Sequence, residues 1–596
     1  MPRHSSKRSG TRGSFKPGHP FFPSTSGAGD NISRQQHDRR RETTSTSHLQ
    51  DQDEYIIVNK EKVEHAWNTN IKSHFSFSPN CVGLLTMKKE YQWSISTSWS
   101  FSCDHCDYHS NNHKMYKTID TGSKGRKASS LNKALGVALV KSSIGATGIS
   151  EIFLTLGINP GSYRGLTRLV NSGSETCKIL CQENTATERS KLGNAPHVAI
   201  EGDSRYNNPI RGNTPFQAGT QVAWTVCEGV SKSKKIVHLV TENKLCTRAA
   251  SLRRQGENVS CPDHSGRCTA TMRQHESIGR EGVYAKKSAE VLKEEGINVK
   301  YITSDGDCEI GNAFKETYPA VEWMKDARHF SLSQMKAIKA AKFSDQMFPT
   351  ATKVQRQRDQ QWFAEDIRQR CSAELTAAVN KCQDIQDKAI RKAKISALLF
   401  KTPDAIIDCY QGNCHLCGES SLVCSGENQY AWPKHFQSSM SRNKMRMTDA
   451  DKDLLKDLIL KRLGGIAIGQ TYLNSNTQKV EAVHRAYSKT NPKIITSPRN
   501  FDGRIGAAVL NVNMGFEGST RLVQAAAGHD VCEEVKKVIK KRSDEIKVRR
   551  EMSKSPEYKR RRVFQRASKY RLYEERQNTG ASSSDTYEKE VAINSQ

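Results

Sequence analysis

Three acidic residues lie at the ends of two strand-like runs in the middle of the chain. Asp203 ends the apolar run HVAIEGD (197–203), while Asp305 and Asp307 lie in TSDGD, at the end of VKYITSD (299–305). Because open α/β sheets bind ligands beyond the carboxyl ends of their strands, we expect these acids to meet in space. The pattern therefore predicts an acidic site at one edge of a sheet.

A further acid lies on a predicted helix much later in the chain. The segment TQKVEAVHRAYSK (477–489) has helical periodicity, with Thr477 as its N-cap. Its apolar stripe consists of Val480, Val483 and Tyr487. Glu481, His484 and Arg485 fall together on the adjoining polar flank. Carboxylates from two strand ends and this helix would bind Mg²⁺ or Mn²⁺, and two such ions about 3.5–4 Å apart promote in-line phosphoryl displacement. Ordinary surface acids produce the same spacing, which leaves both interpretations open.

Cysteine spacing indicates a metal site near the N-terminus. Cys103 and Cys106 form C-x-x-C, which supplies two ligands of a tetrahedral zinc ion and requires a second pair. Cys81 and His109 are the candidates for that pair. A knuckle without metal is the alternative.

A second cysteine group lies in the segment CYQGNCHLCGESSLVC. It consists of Cys409, Cys414, Cys417 and Cys424. Four thiols so close together are difficult to explain as core residues, and four protein ligands make a structural zinc site with no open position. A weaker candidate, CPDHSGRC, offers Cys261, His264 and Cys268.

The segments around the acids alternate between strands and helices. The predicted order is β (197–203), β (220–228), β (234–244), α (280–295), β (299–305), α, β (321–324) and α from Ser331. The second and third strands form a hairpin, and Gly296 ends the first helix. This order indicates an α/β fold, with the charged helical stretch 355–400 as an insertion.

The overall charge points to a polyanionic partner. The 596 residues include 92 Lys and Arg against 63 Asp and Glu, a net charge of +29. Such an excess argues against a plain metabolic enzyme and favours nucleic acid or an anionic membrane. No run approaches the ~18 apolar residues of a membrane span, and the N-terminus lacks the apolar region of a secretory signal. We therefore expect a cytosolic or nuclear protein, with its cysteines as free thiols and metal ligands.

Both ends of the chain are basic. Residues 1–50 have the composition of a disordered tail, in which 39–42 (RRRE) is either a nuclear localisation patch or a solvated charged segment. Residues 536–573 are strongly basic and are predicted to be helical in part. Such tails bind phosphate backbones without sequence preference.

Five segments together resemble the Mutator-like transposase domain of invertebrate genomes. They are GDSRYNNPI (202–210), TPFQAGTQ (214–221), TSDGD (303–307), DARHFSLSQ (326–334) and NTQKVEAVHRAYSKTNPK (476–493). The segment GRIGAAVLNVNMGF (503–516) resembles the end of that domain. The resemblance extends over roughly residues 60–525.

This resemblance implies an RNase H-like core with a DDE triad for metal-dependent DNA strand cleavage and strand transfer. By motif, the acids are Asp203, Asp305 and Glu481, which would hold Mg²⁺ (or Mn²⁺). Asp307 is the alternative second acid, and Asp305 is preferred because it directly abuts the strand.

The same family carries a C/D-x-x-H element after the second acid. It corresponds here to Asp326 and His329, which are expected to line the site. A structural role for His329, capping the next helix, is the alternative. The implied partner is DNA, as transposon ends and target, with no membrane. A nuclear location is expected, and both a monomer and a homo-oligomer are compatible with the sequence.

The expected fold class is α/β: an RNase H-like mixed-sheet core with a helical, cysteine-rich insertion, a small zinc-knuckle-like module and disordered basic termini. The expected boundaries are a basic tail (1–55), the knuckle module (56–120), a helical linker (121–195), the first part of the core (196–345), the insertion (346–465), the last part of the core (466–530) and a basic tail (531–596). A non-catalytic, zinc-dependent DNA- or chromatin-binding protein derived from a transposase is the second hypothesis. A structure-specific nuclease is the third.

Overall fold

Five strands from the middle of the chain form one mixed sheet in the computed structural model, which describes residues 55–120, 127–207, 219–229, 235–262, 268–349, 352–426 and 445–578. The patch at 39–42, His264 and the turn of the predicted hairpin lie outside the described residues.

The elements of the described residues are as follows. The strands are β1 (Leu85–Trp93), β2 (Ser96–Cys103), β3 (His113–Lys114), β4 (Thr118–Ile119), β5 (Ala128–Ser129), β6 (Val198–Tyr206), β7 (Gln221–Glu228), β8 (Ile236–Asn243), β9 (Val299–Ser304) and β10 (Glu322–Lys325). The helices are α1 (Lys60–Phe77), α2 (Ser130–Ser142), α3 (Ala146–Thr155), α4 (Tyr163–Ser190), α5 (Thr247–Arg254), α6 (Glu281–Glu294), α7 (Cys308–Thr317), α8 (Ala327–Ala340), α9 (Lys353–Lys381), α10 (Lys388–Leu399), α11 (Thr402–Gln411), α12 (His415–Ser420), α13 (Asp449–Leu463), α14 (Gly465–Thr471), α15 (Gln478–Tyr487), α16 (Phe501–Ala526), α17 (Glu533–Met552) and α18 (Pro556–Asn578).

The central sheet has the strand order β10-β9-β6-β7-β8. β6 and β9 pair in parallel, as do β9 and β10, whereas β7 runs antiparallel to both β6 and β8. The crossover from β8 to β9 passes through α5 and α6, and the crossover from β9 to β10 passes through α7. This connectivity places β6 and β9 side by side at the centre of the sheet.

The alternation of side chains along β7 explains how both faces of the sheet are covered. Every residue of this strand is buried. Val222, Trp224 and Val226 pack with α6 and α7, and the Trp224 indole donates a hydrogen bond to Ser288 at 3.0 Å. Ala223 on the opposite face packs with α15 and α16. Because side chains alternate along a strand, one short segment contributes to two separate cores.

The predicted strands and helices of this region are present, with three differences. The helix α5 was not anticipated between β8 and α6. The helix α8 begins at Ala327 rather than at Ser331, because the Asp326 carboxylate accepts hydrogen bonds from the first free N–H groups of α8. The strand β6 continues to Tyr206, because residues 203–206 pair with β7, so Asp203 lies within the strand and not at its end. The stretch 355–400 is helical, as predicted, and is formed by α9 and α10.

The helices of the insertion have a hydrophobic core of their own. It is formed by buried side chains of α9, α10, α11, α13 and α14, such as Phe363, Ile367 and Leu455. Met324 of β10 belongs to the same core, so the insertion packs beside the β10 edge of the sheet. In the N-terminal part, α1 packs on β2 through Ala66, Trp99 and Phe101.

The C-terminal basic segment is helical. α17 and α18 extend to residue 578, so the expectation of a disordered C-terminus does not hold for residues 533–578. Few of the described side chains of α17 are buried, among them Ile539. Among the described helices, none is by itself long and apolar enough to cross a membrane; α2 and α3 together have the length and composition, but the chain bends by 115° between them.

The helices α2 and α4 approach each other through two glycines. A Cβ atom on Gly173 would lie 2.3 Å from the carbonyl carbon of Gly136, and one on Gly136 would lie 2.2 Å from the carbonyl oxygen of Leu169. Neither position therefore accepts a side chain unless the two backbones separate. Since α4 also packs on α16, this contact fixes the layer that lies next to the β8 side of the sheet.

We expect Gly173→Ala to destabilise the protein by about 1–3 kcal/mol, because the added methyl group forces α2 and α4 apart. Urea unfolding followed by circular dichroism would show this as a lower midpoint. Gly469→Ala in α14 is the matched control, since a Cβ there meets no atom within 4 Å. The control should gain up to about 1 kcal/mol from higher helix propensity. Equal effects of the two substitutions would contradict the close contact.

Candidate active site and cysteine clusters

The register between β6 and β9 places Asp203 beside Asp305. In this parallel pair Ile200 lies opposite Ile302, and Glu201 lies opposite Thr303. Two residues further along each chain come Asp203, still within β6, and Asp305, the first residue after β9. The charge of Asp305 acts on the carboxylate of Asp203. The two acids of the predicted strand ends are therefore neighbours.

The helix α15 brings Glu481 to the same place. Its stripe of Val480, Val483 and Tyr487 is fully buried against the sheet, as the periodicity predicts. The Tyr487 hydroxyl lies 3.1 Å from the Thr225 hydroxyl on β7. This packing turns the polar flank of α15 toward β6, where His484 Nδ1 lies 3.5 Å from Asp203 Oδ2.

A single buried carboxylate joins the start of α15 to the start of α8. One oxygen of Asp326 accepts the backbone N–H groups of Arg328 and His329, at 2.6 and 2.9 Å. The other accepts the N–H and the hydroxyl of Thr477, at 2.6 and 2.7 Å. Thr477 is the N-cap residue, as predicted, but its hydroxyl is donated to Asp326 and does not cap α15 itself. Asp326 thus positions two helices and is not exposed to the site.

The side chain of His329 faces the acids. His329 Nε2 lies 3.3 Å from Glu481 Oε1, while the guanidinium groups of Arg328 and Arg485 lie 3.6 and 3.5 Å from the other oxygen of Glu481. Helix capping at this position is performed by Asp326, which leaves the His329 imidazole free to contact Glu481.

The two candidate second acids differ in their surroundings. Asp307 is the N-cap of α7, and its carboxylate accepts the N–H of Glu309 at 2.9 Å. Asp305 is exposed and makes no hydrogen bond or ion pair with any residue in the described part of the chain. Its carboxylate is therefore available to a ligand, whereas that of Asp307 already stabilises a helix.

Burial and neighbouring negative charges dominate the electrostatics at Asp203. Burial, followed by the nearby carboxylates of Asp305, Glu281 and Glu481, raises the pKa of Asp203 to about 8. His484, which faces Asp203, has its pKa lowered to about 3 by burial and by Arg205 and Lys493. At neutral pH this pair is therefore a protonated carboxyl group beside a neutral imidazole, and not an ion pair.

Glu281 is a fourth carboxylate of this site that the sequence analysis did not identify. It lies in the first turn of α6 and accepts a hydrogen bond from the Tyr206 hydroxyl at 2.6 Å. Burial raises the pKa of Glu281, and the charges of Asp305 and Asp307 raise it further. No spacing in the sequence marks this residue, because it meets the other acids only through the packing of α6 on the sheet.

The N-terminal cysteine group contains a different histidine from the one predicted. Its members are His74, Cys81, Cys103 and Cys106, whose ligand atoms all lie within 4.8 Å of one another. His74 Nε2 lies 3.3 Å from the Cys106 sulfur, and the Cys81 and Cys103 sulfurs are 3.6 Å apart. His109 is exposed and lies outside the group. His74 replaces it because this residue is on the buried face of α1, which packs on the strands that carry the cysteines.

The second cysteine group has the predicted members. The ligand atoms of Cys409, Cys414, Cys417 and Cys424 lie within 4.8 Å of one another, at the junction of α11 and α12. A fully buried ion pair on α9 supports them: Arg370 Nε lies 2.9 Å from Glu374, and Arg370 Nη2 lies 3.8 Å from the Cys417 sulfur. Glu374 in turn accepts the backbone N–H of Leu422. Hydrogen bonding from Cys409, together with the charge of Arg370, lowers the pKa of Cys417 to about 6.

Comparisons with known proteins identify the family of the chain. The family model described as Mutator-like transposase matches residues 54–424. The chain belongs to the Mutator-like transposase family. None of the curated proteins compared with it matches. Among solved structures, the Drosophila P element transposase strand transfer complex is 12% identical, covers 66% of this chain and 93% of its own, and has a TM-score of 0.25, too low to bear on fold or function.

The matched part of this Mutator-like transposase includes Asp203, Asp305 and His329, together with both cysteine groups. Glu481 lies beyond the matched residues. Its place at the site therefore rests on the packing of α15, through the stripe ending at Tyr487, and on its contact with His329.

We expect Asp203→Asn to raise the stability of the transposase by an amount that grows with pH. The folded protein must keep Asp203 protonated up to about pH 8, whereas the unfolded chain ionises near the ordinary value of 3.8. Wild-type protein therefore loses stability relative to the Asn variant as pH rises from about 4 to about 8, and not beyond.

Thermal unfolding in magnesium-free buffer at about pH 5 and about pH 8.5 would measure this difference. The gain in melting temperature from Asp203→Asn should be larger at the higher pH. Asp384→Asn, at an exposed position after α9, should change the melting temperature equally at both. A gain from Asp203→Asn that does not depend on pH would show that the site does not raise this pKa.

Proposed function

We propose that this protein is a DDE DNA transposase that uses divalent metal ions to cleave DNA strands and to join them to a target. The observation that carries the proposal is the meeting of Asp203, Asp305 and Glu481 at the centre of the sheet, although they come from three distant segments. Membership in the Mutator-like transposase family supports it.

We assign the central sheet and its helices to an RNase H-like core. In support, the sheet is mixed and helices pack on both of its faces. Asp203 lies in β6, and Asp305 directly follows the adjacent parallel strand β9. The third acid arrives on a helix that follows the insertion and packs on the first of those strands. This arrangement suits a site that must gather carboxylates from distant parts of one chain.

The donor set fits Mg²⁺ or Mn²⁺. The groups nearest to Asp203 are carboxylates and the neutral imidazole of His484, and their mutual repulsion is what a divalent cation would relieve. Asp203, Asp305 and Glu481 would hold the ions. When bound, such ions promote attack on a phosphodiester and stabilise the leaving oxygen.

The remaining residues of the site orient the carboxylates or hold the helices that carry them. We assign His329 as a positioning residue, since its Nε2 contacts Glu481 and fixes one carboxylate oxygen. His484 has the equivalent relation to Asp203. Asp326 keeps both helices in place, and the hydroxyl of Tyr206 orients Glu281. Asp305 is preferred over Asp307 as the second acid because its carboxylate makes no other bond in the described part of the chain.

DNA is the proposed substrate, as transposon ends and as target. The net charge of +29 and the basic, exposed helices α17 and α18 support binding to phosphate backbones. A nuclear location and a second copy of the chain as partner are proposed on the same basis, because DNA strands at two ends must be joined to one target.

The two cysteine groups are proposed as structural zinc sites. Their sulfur and imidazole ligands are those that zinc prefers, and each group offers four, which leaves no open position for a reaction. The N-terminal site would fasten α1 to β2, and the second would fasten the junction of α11 and α12 to α9.

Loss of any acid of the triad should abolish metal-dependent strand cleavage and transfer. We expect Asp203→Asn, Asp305→Asn and Glu481→Gln each to lower product formation at least about 10²-fold, because a lost metal ligand removes several kcal/mol of transition-state stabilisation. The assay would use purified protein, Mg²⁺, genomic DNA flanking the coding sequence as donor and a plasmid as target.

Two control variants test the choice of acids. Asp307→Asn should lower product formation less than tenfold, and Asp384→Asn should leave it unchanged. Undiminished activity of Asp203→Asn would overturn the proposal. DNA binding by the wild type without any Mg²⁺-dependent product would favour the non-catalytic hypothesis. Products that are cut but never joined would favour a nuclease.

His74→Ala should remove one zinc ion per chain, whereas His109→Ala should remove none. Of the histidines in the described part of the chain, His74 is the one whose imidazole lies among the three sulfurs of the N-terminal group. Zinc per chain, measured by plasma mass spectrometry after dialysis, distinguishes the two variants. If His109→Ala lost zinc and His74→Ala retained it, the ligand would be His109, as expected from the sequence, and not His74.

A further inference from the structure

A third group of cysteines lies in the connection between β8 and α6. Cys246, Cys261 and Cys268 are separated by up to 22 residues, yet their sulfur atoms all lie within 4.8 Å of one another. Cys246 and Cys261 are buried, and Cys268 is half-buried. The group is distinct from the acid site and from the two cysteine groups described above.

The surrounding segment has little hydrophobic core to explain this convergence. The buried residues of the local cluster are Cys246, Ala249, Cys261 and Ala270, joined by the partly buried Val259 and Cys268. Among the described residues of this connection, one helix is present, α5, and it has 8 residues. Cysteines are thus half of the cluster. Because the buried side chains are few and small, the hydrophobic free energy gained by burying them contributes little to the stability of this connection.

Hydrogen bonds hold the backbone on both sides of the thiols. Asn243 lies at the end of β8. Its side-chain amide donates hydrogen bonds to the carbonyl oxygens of Leu245 at 3.0 Å and Thr269 at 2.9 Å. These residues are the immediate neighbours of Cys246 and Cys268. The guanidinium of Arg253 donates twice to the carbonyl of Val259, at 3.2 and 2.9 Å, close to Cys261. The three sulfurs are therefore brought together by a fixed backbone.

We propose that Cys246, Cys261 and Cys268 bind a zinc ion, as a third thiolate site of this protein. A disulfide would join two of the sulfurs and leave the third unused, whereas a tetrahedral zinc ion takes all three and has one position for a further ligand. Zinc is favoured over calcium or magnesium because thiolates are soft ligands.

The function of this ion is to fasten the connection that leads into α6. Glu281, in the first turn of α6, faces the acid site, and the chain between Cys268 and Glu281 has no helix or strand. Zinc at this point would replace the hydrophobic core that the segment lacks. The site stands on the cysteine geometry alone and does not depend on the proposed DNA chemistry.

Zinc stoichiometry of the full chain tests the site. Protein is expressed with zinc, purified with a phosphine reductant and dialysed, and zinc per chain is measured. We expect Cys261→Ser and Cys268→Ser each to contain one zinc ion fewer than the wild type. Cys532→Ser is the matched control, since this exposed cysteine belongs to none of the three groups, and its zinc content should equal that of the wild type. Circular dichroism shows whether each variant is folded.

Thiol labelling supplies a second, independent measurement on the wild type. Iodoacetamide labelling mapped by mass spectrometry should find the three cysteines protected in zinc-loaded protein and labelled after chelation. Trypsin should also cut after Arg253 and Arg254 faster once zinc is removed. Unchanged zinc content in both serine variants, free labelling of the three thiols in zinc-loaded protein, or a disulfide between two of them would each overturn the proposal.

Discussion

The buried carboxylate of Asp326 holds together two helices that are far apart in the sequence. It accepts hydrogen bonds from the first turn of α8 and from Thr477 at the start of α15, which lie on either side of the whole insertion. A buried charge is costly unless hydrogen bonds replace its hydration, and here both oxygens are satisfied. The position of Glu481, and with it the completeness of the acid site, depends on this junction because Asp326 fixes Thr477, the residue at which α15 begins.

The sheet imposes the second constraint. β7 is buried on both faces, so α6 and α7 must pack on one and α15 and α16 on the other. The acids meet on the α15 face of the sheet, beside the end of β9. Burial and, after it, the crowding of carboxylates raise the pKa of Asp203, so the charged form of this acid is unfavourable in the absence of a cation. Such a cost is typical of functional sites, where local charge is arranged for a ligand and the surrounding core supplies the stability.

Cysteine groups recur at junctions between short elements of the chain. The N-terminal group lies between a helix and a small sheet, and the second lies at the junction of two short helices. Beside the second group, the buried Arg370 pairs with Glu374 and also donates a hydrogen bond to the Cys417 sulfur. Loss of Cys417 would remove that second contact. In the N-terminal part and in the insertion, the cysteine groups thus lie beside apolar clusters and add to them.

The amino-acid sequence by itself determined the strands of the central sheet, the helix carrying Glu481, and the place of Asp305 directly after a strand, since periodicity is a local property. It predicted a strand end at Asp203, whereas pairing with β7 extends β6 to Tyr206. It also determined the four members of the second cysteine group, which lie close together in the chain. Tertiary structure decided the rest. His74 and Glu281 join their sites through the packing of α1 and α6, and Asp326 turned out to be a junction because Thr477 folds back onto it. Contacts between segments distant in sequence leave no periodic pattern, because their geometry is set only when helices dock on the sheet.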